Sequence, residues 1–173
     1  MKDSHVDPAS RDFATTPLGD ALTLLGWIFL LVGLGAGSGV LFGPDEWYAG
    51  LLKPTFNPPS WLFGPVWTAL YASMAIALWW MRRDRAADPA QRRRAGRLFA
   101  VQFVLNLIWT PLFFGLRSPG LAFVDICLLW VALLATMLAF GRVRPLAGYL
   151  LLPYLLWISF ALVLNGTIWL MNA

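Results

Sequence analysis

Cysteine and histidine are nearly missing from this chain: Cys127 and His5 are the only examples. A single cysteine cannot close an intrachain disulfide, and inside an apolar run it carries no signal of redox compartment. A His/Cys metal cluster is excluded by count, and with His5 in a polar tail so is axial His ligation of a haem from within a membrane. Charge is scarce as well, at 13% of 173 residues, where a soluble domain carries about 25%. Paired carboxylates and a phosphate-cradling glycine loop are both lacking, because the glycines at 33–39 lie inside an apolar run. Metal-dependent, acid–base and phosphoryl-transfer chemistry are therefore not expected, and any redox-active side chains would be indoles.

What the chain does have is apolar residues, 59% of the total. That is too many for one water-soluble core. A helix needs about 20 apolar residues to cross a bilayer, and helices satisfy their own backbone groups in lipid. Five such runs occur, at about 18–42, 60–81, 98–115, 120–141 and 146–171. The expected fold is an all-α membrane protein, a bundle of five transmembrane helices over 18–173. Residues 1–17, with Asp3, Asp7, Arg11 and Asp12, read as a disordered polar tail and make a poor signal-peptide start.

Five spans put the N-terminus, the second connection and the fourth connection on one side. That side collects Lys2, Arg11, Arg82, Arg83, Arg85, Arg92, Arg93, Arg94, Arg97, Arg142 and Arg144. Only Lys53 and Arg117, of the 13 Lys and Arg, fall on the other. The positive-inside bias then predicts a cytoplasmic N-terminus, with a bacterial cell membrane as the expected location. The arginine-rich connection, about 82–97, reads as a loop meeting anionic headgroups, not nucleic acid.

The first connection, 43–59, combines Pro44, Pro54, Pro58 and Pro59 with Trp47, Tyr48, Leu51, Leu52 and Phe56. Proline disfavours regular helix there. Its apolar side chains predict a lid packed over the helix ends. Pro65, Pro111 and Pro153 fall inside spans and predict kinks or irregular ends. Gly33/Gly37 and Gly35/Gly39 are small-xxx-small pairs that allow close helix packing, within the subunit or in a homodimer.

Ten tryptophans dominate the aromatic inventory. Trp27, Trp79, Trp80, Trp130 and Trp169 read as interfacial belts. Others align on helix faces with polar groups. Phe63, Trp67 and Tyr71 recur every four residues; Gln102, Asn106, Trp109 and Phe113 share a second face; Tyr154, Trp157, Ala161, Asn165 and Ile168 share a third. Polar groups within a span turn from lipid toward protein or a cavity. Two arrangements satisfy these stripes: interhelical hydrogen bonding in a packed core, or a ring-walled cavity for a large flat apolar ligand. Asp125, the acidic residue deep in a span, is expected to find a polar partner on another helix, to protonate or to face water, the last two leaving room for a proton-relay or ligand-binding role.

The segments WYAGLLKPTFNPPSWLFGPVWTALY (47–71), LNLIWTPLFFG (105–115) and PYLLWISFALVLNGTIW (153–169) carry a resemblance. In order and spacing the chain resembles the translocator protein family, also called tryptophan-rich sensory proteins or peripheral benzodiazepine receptors. The resemblance implies a five-helix bundle closed by the first loop, frequent homodimers, and contact with membrane lipids. It implies binding of porphyrins, protoporphyrin IX above all, and of isoquinoline or benzodiazepine-type molecules, with no cofactor required. The family's cavity positions are matched by Trp67, Asn106, Trp109, Trp157, Ala161 and Asn165, and its lid by Trp47, Lys53, Pro54, Asn57 and Pro59; Phe63 and Tyr71, on the face of Trp67, and Trp47 and Lys53 of the lid are expected to touch the ligand with them. Lys53 is expected at the rim, near a propionate. For some bacterial members the resemblance implies light-driven porphyrin breakdown on tryptophans matched by Trp67 and Trp157, which would then be catalytic. A transporter is the other alternative, although the chain shows no internal repeat. Two departures stand out. The terminal LNGTIWLMNA lacks the Tyr and Arg tied to cholesterol in animal members, and Thr55 stands where many bacterial relatives have an aromatic residue.

Overall fold

A computed structural model describes residues 16–173. The expected polar tail therefore lies outside the described residues, apart from its last two positions. Those two start the first helix: Thr16 Oγ1 accepts the Gly19 N–H at 3.2 Å, and Pro17 follows in the first turn. The helices are α1 (Pro17–Leu41), α2 (Glu46–Gly50), α3 (Ser60–Arg83), α4 (Pro89–Thr110), α5 (Pro119–Val143), α6 (Pro145–Tyr149) and α7 (Leu152–Met171). A wider, π-helical turn, Pro111–Gly115, continues α4. Similar starts recur: Asp88 caps α4 ahead of Pro89, and Ser118 caps α5 ahead of Pro119. A capping oxygen followed by proline fits a helix start, where one N–H would have no partner anyway.

Five stretches are long and apolar enough to cross a membrane: Pro17–Leu41, Ser60–Arg83, Pro89–Gly115, Pro119–Val143 and Pro145–Met171. They form a ring in which α1 packs on α3 and α4, α4 along α5, α5 on α7 and α6, and α6 against α3. Outward side chains such as Phe29, Val40, Val131, Leu156 and Leu170 are exposed, as lipid-facing residues must be.

Between the helices, the interior nearer the arginines is packed solid. Met74, Ala75, Ala77, Leu133, Phe140, Leu151 and Tyr154 are fully buried there. Toward the lid a second, smaller cluster forms around Phe113, Ala122, Leu164 and Ile168. The hollow lies between the two clusters.

Four expectations need correction. The arginine-rich segment 82–97 is mostly helix: Arg92, Arg93, Arg94 and Arg97 sit in the first turns of α4, because Asp88 and Pro89 start that helix early. The lid holds a helical turn, α2, since Asp45 caps a stretch that carries no proline. The fifth span breaks at Leu150–Leu151, so Pro153 falls at the start of α7 and kinks nothing. Trp130 is no interfacial residue; its indole N–H donates to Ser159 Oγ at 2.8 Å, joining α5 to α7.

Candidate functional site

The three polar-aromatic stripes converge. A cavity of about 420 Å³ lies between α1, α3, α4, α5 and α7, roofed by the 43–59 connection. That volume falls in the usual range for small-molecule sites, about 300–1,000 Å³. Phe63, Trp67 and Tyr71 of α3 form one wall, and Trp157, Ala161 and Asn165 of α7 another. These two helices meet through rings: Phe63 stands edge-on to Trp157 at 5.9 Å, and Trp67 to Tyr154 at 6.1 Å. Trp67 stacks on Tyr71 at 5.3 Å, which holds the indole against the hollow.

The amides meet both readings of the stripes at once. The Tyr71 hydroxyl donates to Asn106 Oδ1 at 2.7 Å. The Trp109 indole N–H donates to Asn165 Oδ1 at 3.0 Å, while Asn165 Nδ2 donates to the Pro119 carbonyl at 2.9 Å. Each bond ties two helices, and each of these amides also lines the cavity. Gln102 lies deeper, fully buried, with Nε2 directed at Met74 Sδ. The partner expected for Asp125 is not found for Oδ2, which is buried without a hydrogen bond among the described residues.

Close approach of α1 completes the chamber. A Cβ at Gly35 would overlap the Tyr71 ring. Gly35 thus serves packing inside the subunit, whereas Gly33 and Gly37 have nothing within 4 Å of a built Cβ and face outward. The π-helical turn matters too. Pro111 has no N–H for the Leu107 carbonyl, which accepts Ser38 Oγ of α1 at 3.5 Å instead. The Leu116 N–H then reaches back to the Pro111 carbonyl at 2.8 Å, and the widened turn sets Phe113 and Phe114 beneath the lid.

The lid is fastened at several points. Trp47 and Tyr48 stand edge-on to Phe113 at 6.0 and 6.1 Å. Asn172 clamps Leu52, accepting its N–H and donating to its carbonyl, each at 2.9 Å. Arg117 donates to Asp45 Oδ2 at 2.9 Å, from a left-handed backbone position (φ 50°) that few non-glycine residues adopt. Asp45 also accepts the Tyr48 N–H. That bond, with Arg117 adding to it, holds the Asp45 carboxyl below its ordinary range. Burial pushes the Tyr48 phenol up, against the Asn57 bond, so Tyr48 stays a neutral donor in the roof.

Of the predicted positions, Phe63, Trp67, Tyr71, Asn106, Trp109, Trp157, Ala161 and Asn165 share this one cavity. Trp47 and Lys53 do not line it. Trp47 packs behind the wall on Phe113. Lys53 Nζ donates to the Ala49 and Leu51 carbonyls at 3.1 and 3.0 Å and lies over the Tyr48 ring, so it braces the lid from outside. Sequence reasoning missed Gly35, Tyr48 and Phe114 as wall residues, while Asn57, matched to the lid, does line the cavity. A lid residue's direction is not periodic, so only the aromatic richness of 43–59 could have pointed to Tyr48.

Fold and cavity define an integral multi-pass membrane protein built around a lidded, ring-walled chamber. The sequence profile described as the TspO/MBR family matches residues 25–170, and the chain belongs to that family. It is 45% identical over 159 residues to the tryptophan-rich protein TspO of Chlorobaculum tepidum, covering 87% of this chain and 96% of that one. It is 40% identical over 124 residues to the translocator protein of Homo sapiens, covering 72% and 73%. To the tryptophan-rich sensory protein of Cereibacter sphaeroides it is 39% identical over 133 residues, covering 77% and 81%.

Proposed function

We propose that this protein is a membrane receptor or sensor that binds porphyrins, protoporphyrin IX foremost, in the lidded cavity. The observation that carries the reading is the convergence of Trp67, Tyr71, Trp109 and Trp157 on one chamber of about 420 Å³. Flat apolar rings gain about 0.5–1.5 kcal/mol per aromatic pair beyond area burial. The amides of Asn106 and Asn165 supply the few polar edges such a ligand needs. Isoquinoline and benzodiazepine-type molecules share this chemistry and would compete for the same space. The names of the relatives, sensory protein and translocator protein, agree with ligand sensing or movement in a membrane.

Two further features belong to the proposal. The arginine-rich side faces the cytoplasm of a bacterial cell, and the outward Gly33 and Gly37 of α1 pack against a second copy.

Titration of detergent-purified protein with protoporphyrin IX, followed by tryptophan quenching in the dark, tests the reading. Saturable quenching is expected, weakened about two- to tenfold in Trp67→Phe or Trp157→Phe by loss of ring contact. No saturation would overturn it. Illumination then separates the alternatives. Bleaching of the Soret band that disappears in both variants would make the protein a light-driven degrading enzyme, with Trp67 and Trp157 catalytic. Flux of porphyrin into vesicles would make it a transporter.

A further inference from the structure

At the end of the bundle opposite the lid, a second hollow opens between the last turn of α3 and the first turns of α4. It is a groove of about 520 Å³. Arg82, Arg92, Arg93 and Arg97 line it, and no acidic residue does among the described residues. The acids of the same turn are placed elsewhere: Asp88 accepts the Ala90 N–H as the cap of α4, and Asp84 ends α3. Arg83 pairs with Asp20 of α1, Arg144 lies over the Trp80 ring, and Arg82, although it lines the groove, lies over the Trp27 ring. The other three, Arg92, Arg93 and Arg97, line one hollow, and like charges so close repel each other unless an anion joins them.

Two details of the groove bear on such a guest. Arg92 is held in place by its Nη1, which donates to the Arg82 carbonyl at 3.4 Å. Its Nε–H is buried and has no partner among the described residues. A buried donor without an acceptor is costly, so an acceptor is expected at this spot. Gly96 lies on the groove wall, and a Cβ built there meets nothing within 4 Å. That wall therefore faces open space, which a larger side chain would enter.

The surroundings select the kind of anion. The groove sits where a membrane-spanning helix leaves the apolar layer, and Met81 and Ala100 give it an apolar edge. Val101, Val104 and Ile108 are exposed on α4. They follow Arg97 at helical spacings of four, seven and eleven residues, so they continue one outward stripe toward the bilayer centre. We infer that this groove binds the phosphate headgroup of an anionic glycerophospholipid, with Arg92, Arg93 and Arg97 on the phosphate and an acyl chain along Val101, Val104 and Ile108. Guanidinium forks suit phosphate oxygens. The apolar stripe would be of no use to a free inorganic anion. The site is separate from the lidded cavity, and the inference does not depend on what that cavity holds.

The experiment is native mass spectrometry of the full chain released from detergent, titrated with phosphatidylglycerol or with phosphatidylcholine of the same acyl chains. Two variants accompany it: Arg92→Gln/Arg93→Gln/Arg97→Gln, which removes the charge, and Gly96→Leu, which fills the groove and keeps every arginine. The wild type should retain phosphatidylglycerol over phosphatidylcholine by about tenfold or more, and both variants should lose that preference. Inorganic phosphate in excess should leave the adduct intact. Equal retention of the two lipids by the wild type would overturn the proposal. A preference surviving in Gly96→Leu would also overturn it, and that arm remains decisive if the triple variant fails to fold. Displacement by inorganic phosphate would overturn the lipid assignment in favour of a soluble anion.

Discussion

Gly35 decides how close α1 comes to the cavity wall. Any Cβ there would meet the Tyr71 ring, and Tyr71 is buried and fixed by its bond to Asn106. Gly35→Ala should therefore push the phenol off Asn106, lower the thermal midpoint, and weaken ligand binding. Overpacking of this kind costs about 1–3 kcal/mol. Gly26→Ala, whose Cβ enters open space away from the proposed contact between copies, should leave both readouts near wild type. Equal losses in the two variants would mean that helix propensity governs this stretch, not the Tyr71 contact. The glycine pairs were visible in the sequence, but their division of labour was not. Two residues apart on a helix, Gly33 and Gly35 lie on different faces, and only the placement of α3 says which face meets a ring. The aromatic stripes were far more legible. Phe63, Trp67 and Tyr71 repeat at the helical period, so one shared face followed directly from spacing.

The lid is the element whose behaviour the sequence showed least. Its aromatic content predicted packing on the helix ends, and Trp47 and Tyr48 do pack on Phe113. The clamp between Leu52 and Asn172 could not be read, because it joins residues 120 positions apart through one side chain. Lys53 shows the opposite difficulty: a cation beside a cavity suggests an anionic ligand, and only the structure shows its ammonium bonded to lid carbonyls. Asn172→Ala should release one edge of the lid and raise the ligand off-rate severalfold in stopped-flow, with little change in helicity. An unchanged off-rate would mean that Phe113 and its ring contacts hold the roof alone. Acid should act in the same direction. The Asp45 carboxyl is held below its ordinary value of about 3.8, so its hold on Tyr48 and Arg117 is present above that value and is lost as pH falls through the lowered one. The off-rate should rise over that acid range, and Asp45→Asn should remove the dependence.

At the scale of the whole molecule, the division between a solid end and a hollow end of the interior organises everything else. Five apolar runs were legible because lipid demands whole helices, and the limits of all but one fell within a few residues of the apolar runs. The exception, α4, begins at Pro89 because polar arginines can be helical once a helix leaves the apolar layer, which hydropathy cannot register. The hollow itself was not written in hydropathy either. It arises because α3 and α7 meet through rings while the lid and the π-helical turn close the top. The most direct test of this account is the affinity for protoporphyrin IX, read by tryptophan quenching, in Ala161→Trp. Ala161 lies on the cavity wall, so an indole there fills the chamber and leaves the lid fastenings and the arginine groove untouched. The account predicts loss of saturable quenching with a helical content unchanged by circular dichroism; wild-type affinity in a folded Ala161→Trp protein would contradict it.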